Sequence, residues 1–254
     1  MYCKWKAFDT LPSEVVTIPG IEYAITSNGA AVYEIKDKKC LNSYVLKESS
    51  VAGIINNTVG YPVTYEAFIR GKAYASKEYM ADPVKFGATP KAIEYVRSTR
   101  TLQEDIVSFI YEHKHELDSI DIVLDDDELK NRIIKELYEK DPDIYITSSV
   151  KQLIEISYKD AGKKSGVRFL ADRLGIDRKN IAAFGDADND CDMIEFAGAG
   201  VAMGNACDAL KEAADYVTLS NDDDGLAYAI YNILKYMIPE SKGLNLHELA
   251  CNII

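Results

Sequence analysis

The 254-residue sequence is short of basic residues: 29 Lys and Arg stand against 41 Asp and Glu, a net charge of −12. That balance opposes the phosphate backbone that supplies most nucleic-acid affinity, and no compact Lys/Arg patch reverses it locally, so no nucleic-acid partner is expected. Long apolar runs are missing too. The longest near the C-terminus, Gly225 to Ile238 (GLAYAIYNILKYMI), has 14 residues, fewer than the roughly 20 that cross a bilayer. It reads as a buried helix, and no membrane is expected. The opening MYCKWKAFDT has basic residues with no apolar stretch behind them, so a signal peptide is not indicated. Five scattered cysteines form no Cys-x-x-Cys pair, the usage of a reduced, cytoplasmic protein rather than of a disulfide framework. Internal repeats and low-complexity tracts are absent. What is present, 47% hydrophobic and 28% charged residues well interspersed, is the composition of a chain that folds around a real core.

Periodicity divides the chain. A short apolar run, Tyr23 to Ser27, stops at Asn28-Gly29 as a strand ending in a turn. Between Ala31 and Tyr158 the pattern is α+β, with strands at Ala31–Ile35, Ile120–Leu124, Ile144–Thr147 and Leu153–Ser157 and helices at Leu102–Leu117 and Glu128–Lys140. In the second of these helices Leu129, Ile133, Ile134 and Leu137 form one apolar stripe. After Lys159 strands and helices alternate, the rhythm of a parallel sheet covered by helices. Helices are expected at Ser165–Leu174, Cys191–Ala197 and Ala206–Ala214, and strands at Ile181–Phe184, Gly200–Met203 and Tyr216–Leu219.

The chemistry-bearing candidates lie in this second part. The Ile181 strand runs straight into Gly185-Asp186-Ala187-Asp188-Asn189-Asp190, and ligands of open parallel sheets bind beyond the carboxyl ends of the strands. Three carboxylates in five residues repel one another unless a cation compensates, and an all-oxygen set suits Mg²⁺. Capping of the helix that begins at Cys191 would explain the same acids without a metal; spacing leaves both readings open. An EF-hand is excluded by Cys191 and Ala197 at the loop positions that need Gly and Glu, and no P-loop or Gly-x-Ser-x-Gly elbow occurs. His113 and His115, two apart on a helix, point to different faces and read as surface residues. Lys163 and Lys164 stand just ahead of a helix, where positive charge is locally disfavoured and an anion such as phosphate would relieve them. Two solvated lysines are the plainer alternative.

Taken together, Gly185-Asp186-x-x-Asn189-Asp190, Lys163 some twenty residues earlier, Ser27-Asn28-Gly29-Ala30 near the start and Ser220-Asn221-Asp222-Asp223-Asp224-Gly225 near the end resemble the Cof-type branch of the haloacid dehalogenase superfamily. The resemblance covers essentially the whole chain and is most specific from Ile181 to Gly225. It implies an α/β fold: a Rossmann-like core, here residues 1–30 and 159–254, with an inserted α+β cap, residues 31–158. It also implies Mg²⁺-dependent hydrolysis of small phosphomonoesters, such as sugar phosphates, through an aspartyl-phosphate. By the same resemblance Asp186 and Asp190 are the metal-site acids, Asp190 in a supporting place. Asn189 contacts the substrate phosphate, and Lys163, ahead of Lys164, holds the transferring phosphoryl group and balances the nucleophile.

The sequence departs from that family at its start. Relatives open with a strand ending in Asp-x-Asp-Gly-Thr, the nucleophile and its acid/base, followed by a Thr-Gly-Arg-like turn, and neither motif occurs here. Ala7-Phe8-Asp9-Thr10-Leu11 imitates the first without its second Asp and Gly, and Asp9 lies only 19 positions before Asn28. Residues 1–19 are read instead as the segment that follows the Thr-Gly-Arg turn, which makes the chain N-terminally truncated with the central strand missing. The Tyr23 and Ile181 strands are then expected either to become neighbours or to leave a cleft. A phosphatase is the first functional reading; an inactive fragment that only binds phosphate or metal is the alternative.

Overall fold

The computed structural model describes residues 2–3, 8 and 11–237. Its strands fall into three sheets. The first comprises β1 (Tyr2–Cys3), β2 (Tyr23–Thr26), β3 (Ala31–Glu34) and β4 (Lys39–Ser43), paired in that order, with β1 parallel to β2 and the other pairs antiparallel. The second comprises β5 (Thr64–Ile69), β6 (Lys72–Ser76), β7 (Arg100–Gln103), β8 (Ser119–Val123), β9 (Ile144–Thr147) and β10 (Leu153–Tyr158), in the order β7-β6-β5-β8-β10-β9. The third is a parallel sheet of β11 (Ala182–Gly185), β12 (Ala199–Ala202) and β13 (Tyr216–Val217).

The six-stranded sheet shows why its residues choose a side. Successive side chains of a strand point to opposite faces, and on one face Ile120, Ile122, Ile154 and Ile156 are wholly buried in the largest apolar cluster. Leu129, Ile133 and Leu137 of the Asp127–Lys140 helix cover them, the stripe that the helical period required. The opposite face carries Glu66, Ser119, Asp121, Glu155 and Ser157, all buried. Two readings change here. Residues 102–117 are not one helix: Arg100–Gln103 pairs as β7 with β6, and the helix starts at Ile106, where the Asp105 carboxylate accepts the Ser108 N–H at 3.0 Å. The C-terminal helix, Gly225–Asn232, is not buried all round, since Leu226, Tyr228 and Tyr231 are exposed while Gly225 and Ala229 face inward. Its apolar composition hid a one-sided helix. No described helix is long and apolar enough to cross a membrane.

The first and third sheets are not hydrogen-bonded to each other among the described residues. Helix Lys163–Leu174 bridges them: Val167 and Leu170 are buried in one cluster with Ile25 of β2 and Ala183 of β11. The strands near Tyr23 and Ile181 therefore do not become neighbours. Beside β2, where the sequence suggested only absent strands, the two-residue β1 takes the remaining edge, with Tyr2 opposite Ala24 and Cys3 opposite Ile25, because backbone groups along that edge need partners. Asp9 lies outside the described residues. β3 and β4, which follow residue 30, are paired into the sheet of β2.

Candidate active site

Four segments converge at the carboxyl ends of β2 and β11. Beyond β2, Ser27 and Asn28 take left-handed backbone angles (φ 48° and 52°), and Gly29 follows at φ 95°. Gly29 is needed twice over: a Cβ there would lie 1.9 Å from the Gly162 carbonyl oxygen, so the turn can press against the loop before Lys163 only without a side chain. Similarly, a Cβ on Gly185 would lie 2.4 Å from that of Asp190. Backbone therefore approaches backbone, and short polar side chains are held deep.

Lys163 opens its helix and is buried, and its Nζ donates to Asp190 Oδ1. The other oxygen, Asp190 Oδ2, accepts the backbone N–H of Asp186 at 3.0 Å and of Ala187 at 3.2 Å. Asp190 thus ties the turn after β11 to the lysine. It makes no side-chain cap to the helix Cys191–Phe196 itself, but its bond from the Ala187 N–H caps the Asp188–Asp190 turn that leads into that helix, so the acid serves both the turn and the lysine. Asn189 is buried and its Nδ2 donates to Asn28 Oδ1 at 3.0 Å, joining the third sheet to the first across 161 residues.

Asp186 and Asp188 turn outward. Asp186 Oδ2 accepts Asn205 Nδ2 at 3.3 Å, and Asn205 Oδ1 accepts the backbone N–H of Asn221 at 2.9 Å, so the Ser220–Gly225 loop is connected to Asp186 through one amide. Asp188 accepts Cys207 Sγ at 3.0 Å. Burial pushes the neighbouring Cys191 thiol up to about 11, with Cys207 and Asp188 adding to the effect, so Cys191 is a protonated, unreactive thiol at neutral pH. Asp192 is raised by burial and held back by the backbone N–H of Lys164.

The structure thus brings Lys163, Asn189 and Asp190 into one buried group, with Asp186 at its rim, and separates Lys163 from Lys164, which is exposed. Among the described residues no three His, Cys, Asp or Glu side chains converge as a metal cage. Sequence reasoning missed Asn28 as a site residue, having read it as a turn former, and missed Glu155 altogether. Burial pushes the Glu155 carboxyl up; Ser149, Asn28 and Lys163 pull it back, which places this residue of β10 against the same group. Neither had a sequence signal of its own, because an Asn before Gly and a Glu in an alternating strand are both ordinary.

A lysine at a helix N-terminus, an acid-rich turn after a parallel strand and an asparagine from a second sheet make an α/β site, beyond the carboxyl ends of the strands, that can accept an anion. A sequence profile of haloacid dehalogenase-like hydrolases matches residues 13–230, and the chain belongs to that family. It is similar to a putative phosphatase of Haemophilus influenzae (46% identity over 104 residues, 41% of this chain and 38% of that protein). It is also similar to the 5-amino-6-(5-phospho-D-ribitylamino)uracil phosphatase YcsE of Bacillus subtilis (41% over 107 residues, 42% of this chain and 43% of that protein). The matches therefore span about two fifths of the length of these relatives. Among solved structures, a haloacid dehalogenase-like hydrolase from B. subtilis superposes with a TM-score of 0.76 at 25% identity, covering 91% of this chain and 86% of that one.

Proposed function

We propose that these residues belong to a Mg²⁺-dependent phosphatase of small phosphorylated metabolites such as sugar phosphates. The observation that carries it is the buried Lys163–Asp190 pair at a helix N-terminus, flanked by Asn189 and Asn28. Lys163 would hold the phosphoryl oxygens, where a fixed cation stabilises charge developing in phosphoryl transfer, and Asn189 would donate to them. Asp190, both of whose oxygens are engaged, would set the lysine and the turn, acting as the supporting acid of the metal site. Asp186 would hold Mg²⁺. The fit is reasonable because this ion commonly takes one or two protein carboxylates and completes its shell with water and phosphate, so a full protein cage is unnecessary. Bound there, Mg²⁺ supplies neutralisation of phosphate charge. The division into a core (residues 1–30 and 159–254) and a cap (31–158) is part of this proposal, with β3 and β4 joining the sheet of the core. Both relatives above are named phosphatases, which favours an enzyme over a binding-only remnant.

The sequence contains no Asp-x-Asp-Gly-Thr, so the test has two arms: the 254-residue chain, and the same chain with a strand bearing that motif fused ahead of residue 1. Both arms are expected to bind orthophosphate with Mg²⁺ in ³¹P NMR. The fused form is expected to release phosphate from sugar phosphates, and Asp186→Ala is expected to abolish the release. Orthophosphate binding that survives Lys163→Ala unchanged overturns the proposal.

A further inference from the structure

The residues assigned to the phosphate are held from two sides, and the second hold comes from the six-stranded sheet. Asn28 stands between, 7% exposed and in the left-handed region at φ 52°, which Asn tolerates better than most residues. Its amide has two unlike ends. Oδ1 accepts Asn189 Nδ2 at 3.0 Å, so Nδ2 is the end left for Glu155 of β10, where an amide nitrogen donates and a carboxylate accepts. Burial pushes the Glu155 carboxyl up, while hydrogen bonds from Ser149 and Asn28 and the charge of Lys163 pull it back. Glu155 is 3% exposed, and its Oε1 accepts Ser149 Oγ at 2.8 Å. Ser149, Glu155, Asn28 and Asn189 thus form one hydrogen-bonded chain, running from the second sheet through the turn after β2 to the turn after β11. Because Glu155 is an acceptor, it decides which way the Asn28 amide faces, and that amide decides which way Asn189 faces.

We infer that Glu155 is a positioning residue of the phosphate site: through Asn28 it holds the Asn189 amide with one N–H on Asn28 and the other turned to a phosphoryl oxygen. Without an acceptor at Glu155 the Asn28 amide can turn over and offer Asn189 an N–H in place of a carbonyl. Asn189 then has to answer with its own carbonyl, which moves its N–H groups off the phosphate. Lys163 is less dependent on the second sheet, since Asp190 holds it from the turn after β11, whereas Asn189 has its partner across the sheets. Burial of Glu155 is no obstacle, because it acts without touching the substrate. This role rests on the phosphate-site reading for the place of the substrate, while the hydrogen-bonded chain can be tested apart from it.

Titration of orthophosphate into the 254-residue chain in Mg²⁺ buffer, followed by ³¹P NMR, compares Glu155→Gln, which keeps an acceptor for Asn28, with Glu155→Met, which has none. Both lose the same charge, so an effect of charge alone leaves them equal. The Gln variant is expected to bind about fivefold more tightly than the Met variant, and the ratio is expected to fall to about one when Asn189→Ala is added to both. If circular dichroism shows Glu155→Met to be unfolded, Asn28→Gly, which suits the left-handed backbone, takes its place. It should bind orthophosphate about fivefold more weakly than the unsubstituted chain, again only while Asn189 is present. No difference within the pair compared, or one that persists without Asn189, overturns the positioning role and leaves the phosphate site standing. If the unsubstituted chain binds no orthophosphate, the phosphate reading fails, and ¹H–¹⁵N NMR of the side-chain amides decides the hydrogen-bonded chain. Asn189 Nδ2 signals that differ within the same pair support it, and signals alike in both overturn it.

Discussion

Lys163–Asp190 and Arg100–Glu66 are two ion pairs removed from water to nearly the same degree, with side chains 7% and 7% exposed in the first and 3% and 1% in the second. Their surroundings differ. Asp190 spends its second oxygen on two backbone N–H groups, so the first pair is locally complete. Arg100 faces a row of three carboxylates and completes only one of them. Desolvation makes each buried charge costly unless a partner and hydrogen bonds compensate. The first pair is therefore an internal fastening of the turn after β11, and the second is a partial compensation within a row of buried acids, whose far member Glu155 is eased by Ser149, Asn28 and Lys163.

Removing each cation should expose that difference, and the largest effect belongs to Arg100→Met. It leaves Glu66, Asp121 and Glu155 facing one another without a guanidinium, and a loss of about 5 kcal/mol is expected in urea unfolding at pH 7; a loss under about 1 kcal/mol would show that the row is already neutral. Lys163→Met should cost less, about 3 kcal/mol, because the two N–H groups still hold Asp190. Adding Asp190→Asn to that variant should recover much of the loss, and a double-mutant cycle measures it.

A third carboxylate sharpens the comparison through pH. Asp118 accepts the Gly71 N–H at 3.2 Å and Ser43 Oγ at 3.4 Å where the first and second sheets meet. Burial pushes it up to about 6, against hydrogen bonds from Gly71 and Ser43 that pull it down. Its raised value means that the folded state binds the proton more tightly, so its contribution to stability grows as pH falls from about 6 toward 4, and its ionised form at pH 7 costs up to about 3 kcal/mol. Asp118→Asn should accordingly stabilise the protein at pH 7, with the gain vanishing near pH 4; unfolding curves of both forms across that range check the sign. The smallest effect is expected for Lys164→Ala. That exposed neighbour of Lys163 should change stability by no more than about 0.5 kcal/mol, and a thermal melt that shows more would erase the distinction between the two lysines.

Much of the strand–helix half was legible because its elements are short and cleanly punctuated. Ile181–Phe184 ends at Gly185, the Lys163 helix ends at Gly175 in the left-handed conformation, and the observed elements fall within a few residues of those positions. The residues around Asp186 and Lys163 were legible as a group only through their joint resemblance to a family, since neither Lys-Lys nor a run of acids decides its own role. In the six-stranded sheet the Glu128–Lys140 stripe was readable, while Arg100–Gln103 was mistaken for helix: a strand at a sheet edge is decided by its partner β6, which lies more than twenty residues earlier in the chain.

By itself the sequence determined the α/β character and the acidic turn after a parallel strand, because these depend on local order and residue type, and it carried the family through the joint resemblance of motifs far apart in the chain. Tertiary structure decided which acids are buried, sending Asp190 inward and Asp186 and Asp188 outward. It also decided that Asn28 meets Asn189 and that Glu66, Asp121 and Glu155 form one row. Strand register and the packing of distant segments set those relations, and both arise from hydrogen bonds and desolvation between residues that no local pattern connects.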